Sequence, residues 1–217
     1  LRSPGEIALT GTSGSSSLAV DFGYAGAYGA TVHGLQAPGL RANAHVDDDA
    51  TNRFSFRTDS GVSAHFFTLS PGELFMRVAL FDELTDGADD LDLYLFHCPT
   101  PTTCTQVGQS GSFTSAEEID LVFPEAGLYA ALVHGFETDQ VAGGPGADYE
   151  VFAWSLGPGD DAGNLRIVTP TTVNEGDRLD FAYDFGPLAA GTRYLGAVTH
   201  NTPFGRFYLT LITVDAL

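Results

Sequence analysis

Four aspartates, Asp86, Asp89, Asp90 and Asp92, stand within seven residues of the stretch TDGADDLDLYLFHC (85–98). Carboxylates at that density can hold a hard cation, run acid–base chemistry, or simply charge a solvated turn. An EF-hand register fails whether it starts at Asp82 or Asp86, because its glycine and closing glutamate are not where that loop needs them. Calcium needs only several oxygens at about 2.5 Å, and β-sandwich loops supply them irregularly. Asp90 and Asp92 share one face of an alternating strand. Gly87 would let the preceding loop turn back so that Asp86 and Asp89 converge on them. Without a cation, four such carboxylates repel one another. One calcium held by Asp86, Asp89, Asp90 and Asp92 is the expectation; a wet turn in an acidic chain is the alternative, and both stay open.

The other chemistry-bearing groups are weaker. VDDDATN (46–52) could complete a calcium site where the middle of the chain begins, but it reads better as a hydrated linker. Cys98 and Cys104 flank a Pro/Thr-rich polar loop, where a disulfide across a hairpin tip is expected in place of two free thiols or half a metal site. None of the six histidines has metal spacing. His134 lies within a strand and should bond to a neighbouring loop, while His97 beside Cys98 lacks the further ligands that zinc needs. Glu117, Glu118, Asp120 and Glu137 could form a hydrolytic pair, but nothing in their spacing requires it. Trp154, Phe152, Tyr149 and Phe136 could make a binding platform, but core packing is the better account.

These residues need elements to position them. Across 217 residues no long stretch has a 3.6-residue apolar period, while 26 glycines and 11 prolines suit many short strands. The chain reads as all-β. Three strand candidates, EIALT, SSLAVDF and YGATVHGL, precede residue 46. Seven follow: RFSFRT, VSAHFFTL, LFMRVALFDE, LDLYLFH, EEIDLVF, GLYAALVHGF and DYEVFAWSL. After the polar GPGDDAGN come LRIVT, RLDFAYDF, TRYLGAVTH and FYLTLITV. The middle seven suffice for one sandwich; neither flank does alone. The expected organisation is therefore two sandwiches, with residues 46–158 inserted into a discontinuous one built from 1–45 and 159–217.

A net charge of −19 and a pI near 4.2 argue against binding nucleic acid through its phosphates and against anionic membrane surfaces. All nine basic residues are arginine. No stretch is long enough for a transmembrane helix, and none reads as a signal peptide. The chain starts on Leu1, as a processed product or an excised fragment would.

The phrases FTLSPG (67–72), DLY (92–94), PEAGLY (124–129), VHG (133–135) and YEVF (149–152) together resemble the bacterial pre-peptidase C-terminal domain. The flanks look like the fibronectin-III-like segments around that domain in secreted subtilisin-like serine peptidases. The resemblance implies a non-catalytic accessory region, secreted or at the cell surface, whose partners are an upstream catalytic domain and extracellular protein substrate. GTSGSS (11–16) evokes the subtilase nucleophile phrase, but Ser13 lacks the following proline and the companion Asp and His phrases. It reads as a turn between strands. The competing expectation is a self-assembling or adhesive surface protein, a homopolymer built by strand donation.

Overall fold

The computed structural model describes residues 1–56, 61–100, 102–139 and 144–217. Strands dominate it, and the described residues contain no α-helix. The chain divides into two units, an outer one of Leu1–Pro38 with Leu156–Leu217 and an inserted one of Gly39–Ser155.

The outer unit begins with β1 (Glu6–Thr10), β2 (Gly14–Asp21), β3 (Gly26–Ala27) and β4 (Gly29–Gln36). The inserted unit holds β5 (Leu40–Val46), β6 (Val62–Leu69), β7 (Phe75–Leu80), β8 (Asp90–Thr100), β9 (Thr103–Ser110), β10 (Glu118–Val122), β11 (Gly127–Glu137) and β12 (Ala147–Leu156). The outer unit then resumes with β13 (Leu165–Ile167), β14 (Thr172–Val173), β15 (Arg178–Phe185), β16 (Arg193–Asn201) and β17 (Leu209–Asp215).

The outer unit is closed by strands from both chain ends. Its sheets run β1-β17-β16-β4, β13-β15-β2 and β14-β3. β1 lies parallel to β17, with Glu6 opposite Leu211. Alternation explains the packing: in β15, Phe181, Tyr183 and Phe185 are buried while Asp180, Ala182 and Asp184 are exposed. The inward set joins Leu18, Val20, Val198 and Ile212 in one core. Ser13 closes the short loop between β1 and β2, where the GTSGSS reading put a turn.

The inserted unit is a sandwich of β10-β7-β12-β5 and β6-β11-β8-β9. Its core takes Leu91, Leu93 and Leu95 from β8 and Tyr129, Ala131 and Val133 from β11. β11 runs between β6 and β8, and both of its faces are buried, which its nearly continuous apolar sequence foreshadows. The opposite face of β8 and β11 carries a smaller cluster of Phe96, Ala130 and Leu132, with Phe54 and Tyr94 packed on it.

Three local expectations change. The inserted unit starts at Gly39, ahead of residue 46, because β5 is hydrogen-bonded to β12 with Ala42 opposite Val151. β9 forms from TCTQVGQS, whose polar composition hides a strand that exists because β8 pairs with it. RFSFRT does not form a strand over residues 53–56, and its last two residues lie outside the described ones. Its phenylalanines instead lie across the outer face of β8.

Candidate functional site

The most concentrated chemistry in the inserted unit lies on that outer face. Alternation along β8 turns Leu91, Leu93 and Leu95 inward and leaves Asp90, Asp92, Tyr94 and Phe96 on the other side. Opposite them β11 presents His134, with Asp92 as its cross-strand partner. Residues 47–56 cross above as a strap. Asp49 donates its amide to the Gly135 carbonyl at 2.8 Å, and Thr138 donates its amide to Asp48 Oδ2 at 3.0 Å. Phe54 stacks on Tyr94 with ring centroids 3.6 Å apart and meets His134 edge-on. Gly135 permits the crossing, since a Cβ there would collide with the Asp47 carbonyl oxygen.

His134 is the centre of the cluster, at 0% exposure. Its Nε2 lies 3.0 Å from Asp49 Oδ2 and its Nδ1 3.4 Å from Asp92 Oδ2. Burial alone would lower its pKa, but the hydrogen bonds and charges of Asp92 and Asp49 outweigh burial and raise it. Asp49 shows the converse. Burial pushes it up, yet bonds from His134, Thr51 and Arg53 carry it well below the usual carboxylate range. The Thr51 hydroxyl and amide both reach Asp49 Oδ1, at 2.8 and 3.0 Å, a local turn that aims the carboxylate at the histidine.

Asp90 has less relief, drawn down only by the charge of His134. Its Oδ1 is buried without a hydrogen-bond partner. Burial, with the charges of Asp92, Glu117 and Glu137 nearby, pushes its pKa up to about 6. Tyr94 donates to Asp92 Oδ2 at 3.3 Å; burial and that carboxylate push its phenol up to about 12. Chemically, the arrangement holds the imidazole between two carboxylates from different segments, which favours its protonated form. Both ring nitrogens are engaged and the ring is enclosed, so the cluster fastens the strap to the sheet.

The four aspartates expected around calcium are not one donor set. Asp86 Oδ1 accepts the Asp148 amide at 2.8 Å. Asp89, 4% exposed, accepts the amides of Gly87 at 3.1 Å and Asp139 at 2.9 Å, and so shapes the loop instead of opening onto it. Asp92 is held by His134 and Tyr94. Among the described residues no group of three or more His, Cys, Asp or Glu side chains could hold a metal ion. The residues present therefore do not fit the expected calcium. Backbone amides and one imidazole, which the spacing of the aspartates could not show, engage Asp86, Asp89 and Asp92, while Asp90 Oδ1 has no hydrogen-bond partner.

The remaining candidates also have structural partners. Cys98 and Cys104 form a disulfide at the tip of the β8–β9 hairpin. Such a bond fits an extracytoplasmic location. His97 reaches the Ala126 carbonyl and packs on Tyr129. Glu117, 2% exposed, accepts from Ser110 and Ser112. Arg77 binds Asp120 bidentately and pairs with Glu118. Phe152 and Trp154 are buried and stacked at 5.5 Å. His134 bonds to a neighbouring loop, as its strand position suggested. Asp49 belongs to the stretch that reads as a hydrated linker, and its Asp-x-Thr spacing to Thr51 is the sequence signal that it caps a turn.

No family model and no curated protein matches the chain. Among solved structures it is similar to PliG, a periplasmic lysozyme inhibitor of g-type lysozyme from Aeromonas hydrophila. That match has 14% identity and a TM-score of 0.32 over 70% of this chain and 98% of that one. Murine CRIg matches at 9% identity and a TM-score of 0.20, covering 99% of this chain and 94% of that one. At these scores neither likeness bears on function. No helix among the described residues is long and apolar enough to cross a membrane.

Proposed function

We propose that the chain is the accessory region of an exported subtilisin-like serine peptidase, secreted or at the cell surface, serving stability, export or the holding of protein substrate. One observation carries the reading. The phrases that resemble the pre-peptidase C-terminal domain fall on β6, β8, β11 and β12 of the inserted unit, and β6, β11 and β8 are neighbours in one sheet. That unit interrupts a second sandwich made from both chain ends, where the fibronectin-III-like flanks are expected. A docking surface tethered to a catalytic domain raises the local substrate concentration without adding chemistry.

The test begins with the reading frame preceding Leu1, which should encode a domain with the Asp, His and Ser phrases of a subtilase. Deleting residues 1–217 from that protein should leave cleavage of a short peptide intact while lowering turnover of folded protein, export or melting temperature. A preceding frame without a peptidase domain removes the reading. In the strand-donation alternative, residues 1–38 would complete a neighbour's sheets. Here β1, β2, β3 and β4 pair with β17, β15, β14 and β16 of their own chain, so exchange would have to displace existing ladders.

A further inference from the structure

Among the described residues the inserted unit has four edge strands, and two of them carry charged side chains of the kind that discourages another strand from pairing. β5 has Arg41 and His45, and β10 has Glu118 and Asp120, whereas β6 has only His65, half-buried and bonded to the Tyr149 hydroxyl. β9 has none. From residue 98 to 116 the sequence contains no Asp, Glu, Lys, Arg, His or Tyr, the longest such run in a chain with 28 acidic residues. β9 closes its sheet, pairing with β8 on one side and with no strand on the other among the described residues. Val107 is the bulged residue, between the pairs Leu95–Gly108 and Phe96–Gln106, and is 37% exposed. Phe113, just past the strand, is 96% exposed. A strand edge without a strand partner and an apolar bulge thus lie on an edge without charge, and the exposed Phe113 follows that strand in sequence.

We infer that β9 is a docking edge that takes an extended, Lys/Arg-bearing segment of a protein as an added strand. The backbone edge supplies the hydrogen bonds, and Val107 and Phe113 supply apolar contact. Charge selects the occupant. A second copy of the chain brings another −19 and is repelled, whereas a basic segment is drawn in by the field of the whole molecule. This deepens the substrate-holding part of the proposed function and rests on it for its biological setting.

The test titrates the full chain with two labelled peptides of equal length, one alternating Thr and Lys, the other Thr and Glu. The Thr/Lys peptide should bind, weaken as salt rises, and slow amide exchange in β9; the Thr/Glu peptide should not bind. Val107→Lys with Gln109→Lys, both at exposed positions, should weaken binding about tenfold or more with an unchanged melting temperature. Val122→Lys on β10, which adds charge elsewhere on the same unit, should weaken it far less. Equal losses in both variants would show attraction to the acidic surface at large and overturn the edge. Absence of slowed exchange in β9 would do the same, and a concentration-dependent dimer abolished by Val107→Lys would assign the edge to a second copy. Failure of this edge leaves the accessory reading standing, because that reading is decided by the preceding reading frame and the deletion experiment.

Discussion

His134 and Asp90 sit on the same face, and their proton equilibria push stability in the same direction. The imidazole has a raised pKa, because its bonds to Asp92 and Asp49 overcome burial, so its contribution is complete below about 6.5 and is lost as pH rises through the folded value. Asp90 is raised by burial and by Asp92, Glu117 and Glu137, so its neutral form favours the fold below 3.8 and that advantage is gone above about 6. Asp90→Asn should therefore raise the melting temperature at pH 8 by about 2–4 °C and change little at pH 4. His134→Gln should lower it at pH 6 and flatten the decline between pH 6 and 8; an unchanged slope would remove the clamp. Asp49 works oppositely, contributing above 3.8 and losing its contribution as pH falls below that value. The alternation of β8 made the shared face of Asp90 and Asp92 legible in the sequence. The partner of His134 was not legible, because Asp49 is 85 residues away and meets it only through the crossing of the strap.

At the scale of elements, the strap and the β8–β9 hairpin each depend on a local requirement. Gly135→Ala puts a methyl against the Asp47 carbonyl, a backbone atom that cannot turn aside, and should cost about 1–3 kcal/mol with faster amide exchange across 47–56. The Cys98–Cys104 bond closes a short loop, so Cys98→Ser with Cys104→Ser should cost about 2 kcal/mol. Non-reducing mass spectrometry should find no alkylatable thiol in the parent protein. Adding calcium at fixed ionic strength should leave the melting temperature unmoved, since Asp86 and Asp89 spend oxygens on backbone amides and Asp92 on His134. A rise abolished by Asp90→Ala would restore the metal loop. Strands with strong alternation or a continuous apolar run, such as β6, β11 and β15, were readable from composition. β5 and β9 were not, because LRANAHV and TCTQVGQS draw their pairing from β12 and β8 instead of from their own side chains.

Across the whole molecule the outer unit responds to acid in the sense opposite to His134 and Asp90. Its buried His33 and His200 are both pushed down by burial, His200 to about 4. Their neutral forms support the fold, and that support is lost as pH falls from 6.5 toward the folded value. His200 lies 2.7 Å from the Tyr28 hydroxyl and 3.0 Å from Thr210 Oγ1, which itself donates to the Pro4 carbonyl. Lowering the pH from 7 to 5 should therefore cost the outer unit on the order of 2 kcal/mol through His200 alone. Amide exchange in β16 and β17, corrected for its intrinsic pH dependence, should speed up accordingly, and His200→Gln should remove most of that change. Exchange insensitive to pH in both the parent and the variant would overturn this account.

The amino-acid sequence by itself determined the all-β class, the presence of an inserted block, the inward and outward faces of β8 and β11, and the disulfide expected at the hairpin tip. Each follows from period-two patterning, turn composition or cysteine placement, which are local and survive in the order of residues. Only the tertiary structure decided that Asp49 meets His134, that Asp86, Asp89 and Asp92 have separate partners, and that β9 is an edge. A carboxylate's partner and a strand's exposed side depend on which distant segments arrive beside it, and the residue types around Asp49 or Thr103–Ser110 do not encode those arrivals.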